Sequence, residues 1–271
     1  MTVKKPLALV KGAGDLATGV SLRLHRAGFS VVMTEIASPT PVRRTVAFAE
    51  AVYNGKVLVE GVEAVLAGNE EDVLDILSGG KLPVLVDPEA ACRAWLDPDL
   101  LVDAIIAKRN LGTSPADAPA VVALGPGFVA GRDCHAVIET MRGHTLGRVI
   151  WEGEAIPNTG VPGEVGGKAA ERVLRAPGAG IFKAHAEIGD MVTSGQVVGY
   201  VDDLPLTSSI DGVLRGLLRS GLEVSPGFKT GDVDPRAARE HCFTVSDKAL
   251  AIGGGVLEAA CALLGGVRFQ R

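Results

Sequence analysis

The stretch GIFKAHAEIGDMVTSGQVVGYV (residues 180–201) recurs as GVLRGLLRSGLEVSPGFKTGDV (212–233). Gly180, Gly189, Val192, Gly195, Gly199 and Val201 fall on Gly212, Gly221, Val224, Gly227, Gly231 and Val233. Each copy reads as two short strands around a glycine turn. A unit of that kind cannot bury its apolar face alone, so the copies are expected to pack on each other. The pattern predicts an all-β barrel-sandwich domain of the biotinyl- and lipoyl-carrier type. Carriers of that kind bear a lysine on the hairpin between the copies. Here the hairpin reads Asp202, Asp203, Leu204, Pro205, Leu206, Thr207. Neither biotin nor lipoate is therefore expected, and the function must be sought in the rest of the chain.

Working outward, the first half has a different texture. Pro6 to Val10 is an apolar run that stops at a glycine loop, as a buried strand does. Asp15 to Arg26 reads as an amphipathic helix ending near Gly28, and Ser30 to Ile36 as a second strand. This βαβ opening predicts a parallel sheet with a right-handed crossover. Further strands are expected at 56–59, 83–86, 101–106, 120–124 and 148–151, and helices near 69–78, 88–95 and 134–142. The fold class is thus α/β: a Rossmann-like parallel-sheet domain over 1–165, and the barrel-sandwich domain over 166–239. Residues 240–265 read as a loop, a short strand and a final helix, and 240–271 are expected to complete the first domain. The boundary falls in the Pro/Gly-rich stretch 157–167.

Composition narrows the function classes. Hydrophobic residues make up 47% of the 271-residue chain and aromatics only 4%, which suits an aliphatic core around a buried parallel sheet. A net charge of −5 leaves no electrostatic footprint for nucleic acid or an anionic membrane. Lys4 and Lys5 precede only a strand-length apolar run, so no signal peptide is expected. The weakly charged stretch from Ala249 to Val267 contains Glu258 and three glycines, which argues against a membrane span. Cys92, Cys134, Cys242 and Cys261 form no CxxC pair and no zinc spacing. A reduced, cytoplasmic protein is the expectation.

Several constellations carry candidate chemistry. Gly12, Gly14, Asp15, Ala17 and Thr18 lie between strand and helix in a GxGxxA pattern, with Ala17 in place of the third glycine. Small residues there let a phosphate approach the backbone and the helix N-terminus. Glu35 closes the second strand at the spacing where an acidic residue binds a ribose hydroxyl. A glycine turn needed only for packing is the competing reading, with Asp15 as a helix cap. Gly125 and Gly127 form a second glycine loop after a strand. Cys134, beside His135 and near an expected helix start, is the candidate for a thiol of lowered pKa; a buried cysteine is its alternative. Gly253 and Gly254 are expected before the last helix, as an anion-binding start or a tight turn. Asp232 and Asp234 present either a hard-cation pair or an ion pair with Arg236. Arg43 and Arg44 present either an anion contact or a solvated pair. The histidines make no metal set, and no metal is expected.

Seven ordered segments resemble one family: VKGAGDLATG (10–19), VVMTEI (31–36), VRRTVAFAEAVY (42–53), ALGPGF (123–128), DCHAVIETMRGH (133–144), KTGDVDPR (229–236) and SDKALAIGGGVLEA (246–259). They are similar to the accessory proteins of selenium-dependent molybdenum hydroxylase systems, the YqeB-like proteins. The first part more distantly resembles xanthine dehydrogenase accessory factors. The resemblance implies a maturation role: binding of a molybdopterin-type cofactor or nucleotide, a molybdenum hydroxylase as client, and help in inserting sulfur or selenium. It carries Gly12, Gly14 and Asp15 over as the glycine loop, and Asp133, Cys134 and His135 as the thiol motif. An NAD(P)-dependent oxidoreductase and a non-enzymatic scaffold that docks the hydroxylase are the other readings. Tyr53 and Tyr200 are isolated, so the oxidoreductase lacks a Tyr-x-x-x-Lys relay.

Overall fold

The computed structural model describes residues 5–160 and 163–265. Lys4, Val161, Pro162 and residues 266–271, which enter some of the stretches read above, lie outside it. The chain divides into two compact units. One takes the chain up to Ala37, Phe48–Thr159 and the chain from Val245; the other takes Ser38–Ala47 and Gly160–Thr244.

The first unit opens with β1 (Leu7–Lys11), α1 (Asp15–Arg26) and β2 (Ser30–Glu35). Asp15 in the first turn of α1, and Arg23 and Arg26 in its last, complement the helix dipole. Then come α2 (Glu50–Asn54), β3 (Lys56–Val59), β4 (Val62–Ala67), α3 (Glu70–Ser78), β5 (Leu82–Val86), α4 (Arg93–Leu96) and β6 (Leu100–Asp103). The Asn69 side chain caps α3 by accepting from the Asp72 amide. β7 (Ala120–Leu124), β8 (Val129–Ala130), β9 (Ala136–Ile138), β10 (Val149–Ile150) and β11 (Gly153–Glu154) follow.

Nine strands form one sheet in the order β10-β9-β7-β6-β1-β2-β5-β4-β3, and β8 pairs with β11 apart from it. The expected parallel sheet is corrected here to a mixed one. β9 through β4 run parallel, but β3 turns back on β4 and β10 on β9. Both edges are hairpins, which need no crossover helix. On one face Leu9, Val32, Leu101, Val121 and Val137 join Val73, Cys92 and Phe128 in a continuous core. The expected helix at 134–142 is absent: its first half is β9, fully buried and paired with β7. A buried run of AVI between β7 and β10 satisfies a strand better than a helical face.

The second unit holds β12 (Val173–Arg175), β13 (Gly180–Ala184), β14 (Met191–Val192), β15 (Val197–Val201), β16 (Leu204–Thr207), β17 (Gly212–Leu217), β18 (Glu223–Val224) and β19 (Lys229–Asp234). The two copies of the repeat follow the same course, and their strands are exchanged. β14 of the first copy pairs with β17 of the second, and β18 of the second with β13 of the first. Gly189 and Gly221 take matching positive φ (103° and 91°), as do Gly195 and Gly227 (84° and 76°), so the repeat preserves the turns that need glycine. The expectation of a barrel-sandwich carrier domain is nonetheless corrected. The unit is two four-stranded antiparallel sheets, β12-β19-β17-β14 and β16-β15-β13-β18. It is not the repeat closed on itself. β12 and β16 come from outside the copies, and residues 38–47 are bound in as well. The Leu217 amide donates to Val42 O (2.7 Å), and Arg44 Nε to Leu217 O (2.7 Å). Phe182, Val198, Val201, Leu214, Leu217 and Val233 form its core.

The chain ends in α5 (Asp247–Leu263), which belongs to the first unit and packs on α1, β7, β9 and β10. Ser246 caps it by accepting from the Ala249 amide. No helix among the described residues is long and apolar enough to cross a membrane.

Candidate functional site at the carboxyl edge of the sheet

The order of the sheet places a reversal of direction between β1 and β6. The chain winds from β1 to β2 on one side and returns to β6 on the other. In open α/β sheets the crevice beyond the carboxyl ends of the strands at such a reversal receives ligands. Five strand ends gather here: Lys11 of β1 with Gly12 after it, Glu35 of β2, Asp87 after β5, Asp103 of β6 and Gly125 after β7.

Gly12 has φ of 93°, and a Cβ there would lie 3.1 Å from Ala104 O, so only glycine lets the loop after β6 pass. Gly14 differs: a Cβ there would meet nothing within 4 Å. It stands at the N-cap of α1 with no side chain to close the helix start. The helix begins at Asp15, so amides of its first turn have no intrahelical partner. Ala17 and Thr18 are buried. The Thr18 hydroxyl donates to Ala13 O (3.3 Å) and accepts from the Phe48 amide (2.8 Å), which makes it part of the scaffold. Glu35 Oε2 accepts from the Ala13 amide (2.9 Å) and Oε1 from the Ile36 amide (2.8 Å).

The second glycine loop lies at the same edge. A Cβ on Gly127 would meet the backbone of Lys108 and Arg109 at 2.5 Å, and one on Gly125 would meet Thr140 Oγ1 at 2.5 Å. The loop after β6 therefore runs against both glycine loops. It carries Ile106 and Lys108 at φ of 60° and 61°, a region that side chains rarely adopt. Lys108 and Arg109 are exposed and bring two positive charges to this edge.

Cys134 and His135 are not part of it. They lead into β9, which runs parallel to β7, so they sit at the opposite, amino edge of the sheet. Cys134 is fully buried and its Sγ donates to Ala136 O (3.2 Å). Burial, reinforced by the Asp133 charge, pushes the thiol up to about 12. The expected lowered pKa is corrected: no helix starts there to favour thiolate. His135 Nδ1 accepts from the Val121 amide (3.0 Å), so the ring closes the start of β7. Burial also raises Cys242, and burial with Asp87 raises Cys92 to about 12.

Gly253 and Gly254 are likewise corrected. They lie inside α5, with no helix start near them. A Cβ on Gly253 would sit 2.8 Å from Gly19 O, so that glycine brings α5 against α1. Asp234 pairs with Arg236 (2.6 Å) and Arg215 (3.4 Å), and Asp232 with Arg172. These contacts all lie within the second unit. Arg43 is buried, and its Nη2 donates to His241 O (2.9 Å) and Thr244 O (3.1 Å). No group of three or more His, Cys, Asp or Glu among the described residues could hold a metal ion.

No family model matches the chain. It is 51% identical over 258 residues to an uncharacterized protein, YqeB, of Escherichia coli (strain K12), covering 95% of this chain and 48% of that protein. The chain thus spans about half the length of the curated relative it matches. Among solved structures, an aspartoacylase family protein from Mesorhizobium loti superposes with a TM-score of 0.27 at 10% identity, over 85% of each chain. A succinylglutamate desuccinylase/aspartoacylase from Rhodobacter sphaeroides does so at 0.25 and 16%, again over 85% of each. Superpositions at such scores do not establish a shared fold.

The structure adds residues that the sequence reading passed over. Lys11, Asp103 and Thr113 form a buried polar group at the strand reversal. Lys11 Nζ donates to Thr113 Oγ1 (2.8 Å), which donates to Asp103 Oδ2 (2.6 Å). A signal was present: LALVK, SVVMTE and LLVD each close an apolar strand with a charged residue.

Proposed function

We propose that the chain is a maturation protein for a molybdenum hydroxylase, and that it holds a phosphate-bearing, molybdopterin-type cofactor or nucleotide at the carboxyl edge of the nine-stranded sheet. One observation carries the binding part. Gly14 faces open space at the uncapped start of α1, beside the strand reversal. The residues fit a phosphate: a loop of two glycines around a buried alanine, open room at Gly14, first-turn amides, and Lys108 and Arg109 on the neighbouring loop. The maturation part rests on the seven-segment resemblance. The group would supply the redox chemistry of its client; this chain's residues bind and orient it. A covalent sulfur or selenium relay at Cys134 is not part of the proposal, because that thiol is buried at the other edge.

The oxidoreductase alternative lacks a Tyr-x-x-x-Lys relay, and Glu35, whose two oxygens each accept a backbone amide, already serves the loop itself. Mass spectrometry of ligands that co-purify with the native protein tests the reading, together with Gly14→Val. Gly14 has φ of −65°, so valine adopts its backbone without strain. A pterin that is present on the wild type and lost from a folded Gly14→Val supports the proposal. A nicotinamide dinucleotide overturns the maturation part, and no ligand at all overturns the binding part.

A further inference from the structure

We propose that the loop of residues 104–112 is a preformed clamp whose Lys108 and Arg109 grip the ligand and favour a diphosphate over a single phosphate, with the buried Lys11–Thr113–Asp103 group as its positioning element. The inference rests on the phosphate reading of the carboxyl edge, and it names the side chains that decide specificity there.

The helix start does not meet an anion unopposed. Asp15 adds a negative charge to the first turn of α1, and Glu35, Asp87 and Asp103 stand at the neighbouring strand ends. Glu35 is held by two amides, Asp87 Oδ2 by the Cys92 amide (2.8 Å), and Asp103 by Thr113 beside Lys11. Lys108 and Arg109 are exposed, and among the described residues neither is paired with a carboxylate. They are the cations this edge offers to an anion. Two of them on one loop match the charge of a diphosphate better than that of a single phosphate.

The loop that carries them is held at its ends and in its middle. Thr113 Oγ1 donates to Asp103 Oδ2 (2.6 Å), Lys11 Nζ to Thr113 Oγ1 (2.8 Å), and the Ala104 amide to Lys11 O (2.9 Å). Asn110 Oδ1 accepts from the amides of Gly112 and Thr113. Gly127 leaves room for the backbone of Lys108 and Arg109, where a Cβ would come within 2.5 Å. Ile106 and Lys108 stand at positive φ, which these contacts maintain. Lys11, Asp103 and Thr113 are 5%, 2% and 3% exposed. An apolar trio of similar size would stabilise the sheet at least as well. What the polar group adds is a single position for the loop, so little freedom is lost when it grips a ligand.

Isothermal titration calorimetry of the full chain with inorganic pyrophosphate and inorganic phosphate at neutral pH tests the clamp. Pyrophosphate binds about tenfold tighter than phosphate. Lys108→Gln and Arg109→Gln each weaken pyrophosphate about fivefold, the upper value of an exposed charge pair. Thr113→Val, a buried and charge-neutral change, weakens it about threefold by freeing the loop, and Thr113→Ser keeps the affinity. On a chain that already carries Lys108→Gln and Arg109→Gln, Thr113→Val has no further effect, because it acts through those side chains. Should Thr113→Val fail to fold, Asn110→Ala loosens the same loop from a half-buried position and shows the same loss. Equal affinity for the two anions, or undiminished pyrophosphate binding by Thr113→Val or Asn110→Ala, overturns the clamp. Loss of pyrophosphate from Gly14→Val in the same series then leaves the phosphate reading standing. No saturable binding of either anion overturns both.

Discussion

Glu35 Oε2 accepts a 2.9 Å hydrogen bond from the Ala13 amide, so the end of β2 is tied to the loop that follows β1. The carboxylate therefore shapes the glycine loop before any ligand arrives. Its other oxygen holds the Ile36 amide, which fixes the side chain from both ends.

Glu35→Ala is expected to lose about 1–3 kcal/mol of stability, the cost of leaving a partly buried donor without its charged acceptor. Glu35→Gln keeps one oxygen to accept and recovers part of the loss. Urea denaturation of the three proteins measures it. Equal stability of Glu35→Ala and wild type would show that the tie is dispensable.

Three consecutive glycines in α5 are expected to behave differently. Gly254 is exposed, and a Cβ there meets nothing within 4 Å; Gly254→Ala gains about 0.5–1 kcal/mol from helix propensity. Gly253→Ala pushes on Gly19, and Gly255→Ala on Gly147 and Ile138, so each loses about 1–3 kcal/mol through overpacking. Thermal melts of the three variants check the order. Stabilisation by Gly253→Ala would mean that α1 and α5 are not in close contact.

The same triplet shows why part of the chain was legible and part was not. The apolar runs LALV and VVAL announce buried strands, because a strand covered on both faces needs no alternation. The repeat at 180–233 announces its turns, because Gly189, Gly195, Gly221 and Gly227 keep a backbone that side chains avoid. Gly253–Gly255 reads locally as a loop, since helix propensity disfavours three glycines in a row. Tertiary packing overrides that cost, and the partners Gly19 and Gly147 are far away in sequence. Cys134 fails for the same reason. Its exposure and its nearest helix are properties of the sheet edge it occupies, which the pattern DCHAVIET does not contain. The Lys11–Thr113–Asp103 group also needs the sheet order, because β1 and β6 become neighbours only across the reversal.

Thiol reactivity is expected to follow burial. Cys261 is partly exposed, whereas Cys92, Cys134 and Cys242 are buried. With Cys92 and Cys134 pushed up to about 12, almost none of either is thiolate at neutral pH. Limiting iodoacetamide followed by peptide mapping labels Cys261 first, and the others only on unfolding. Labelling of Cys134 at the rate of Cys261 in the folded protein would contradict its placement.

Acid stability is expected to depend on Asp234. Its side chain is 1% exposed. Burial raises its pKa, but the Arg236 side chain and amide, with the Arg236 and Arg215 charges, outweigh burial and hold it below the usual 3.8. A carboxyl depressed in the folded state stabilises the fold above its unfolded value, and loses that stabilisation as pH falls through the folded value. The window therefore opens at about pH 4 and extends downward. Asp234→Asn removes the ion pairs and leaves Arg215, itself buried, without this counter-charge. At pH 7 the variant should be less stable by about 3–5 kcal/mol, the cost of breaking a buried pair from one side. Below about pH 4 the gap should narrow, because protonation weakens the same pairs in the wild type while the amide of the variant does not titrate. The other carboxylates are common to both proteins and cancel in the difference. Urea midpoints from pH 7 down to pH 3 give the comparison. A gap that stays constant across that range would show that Asp234 keeps its proton equilibrium on unfolding, and that its arginines do not hold it.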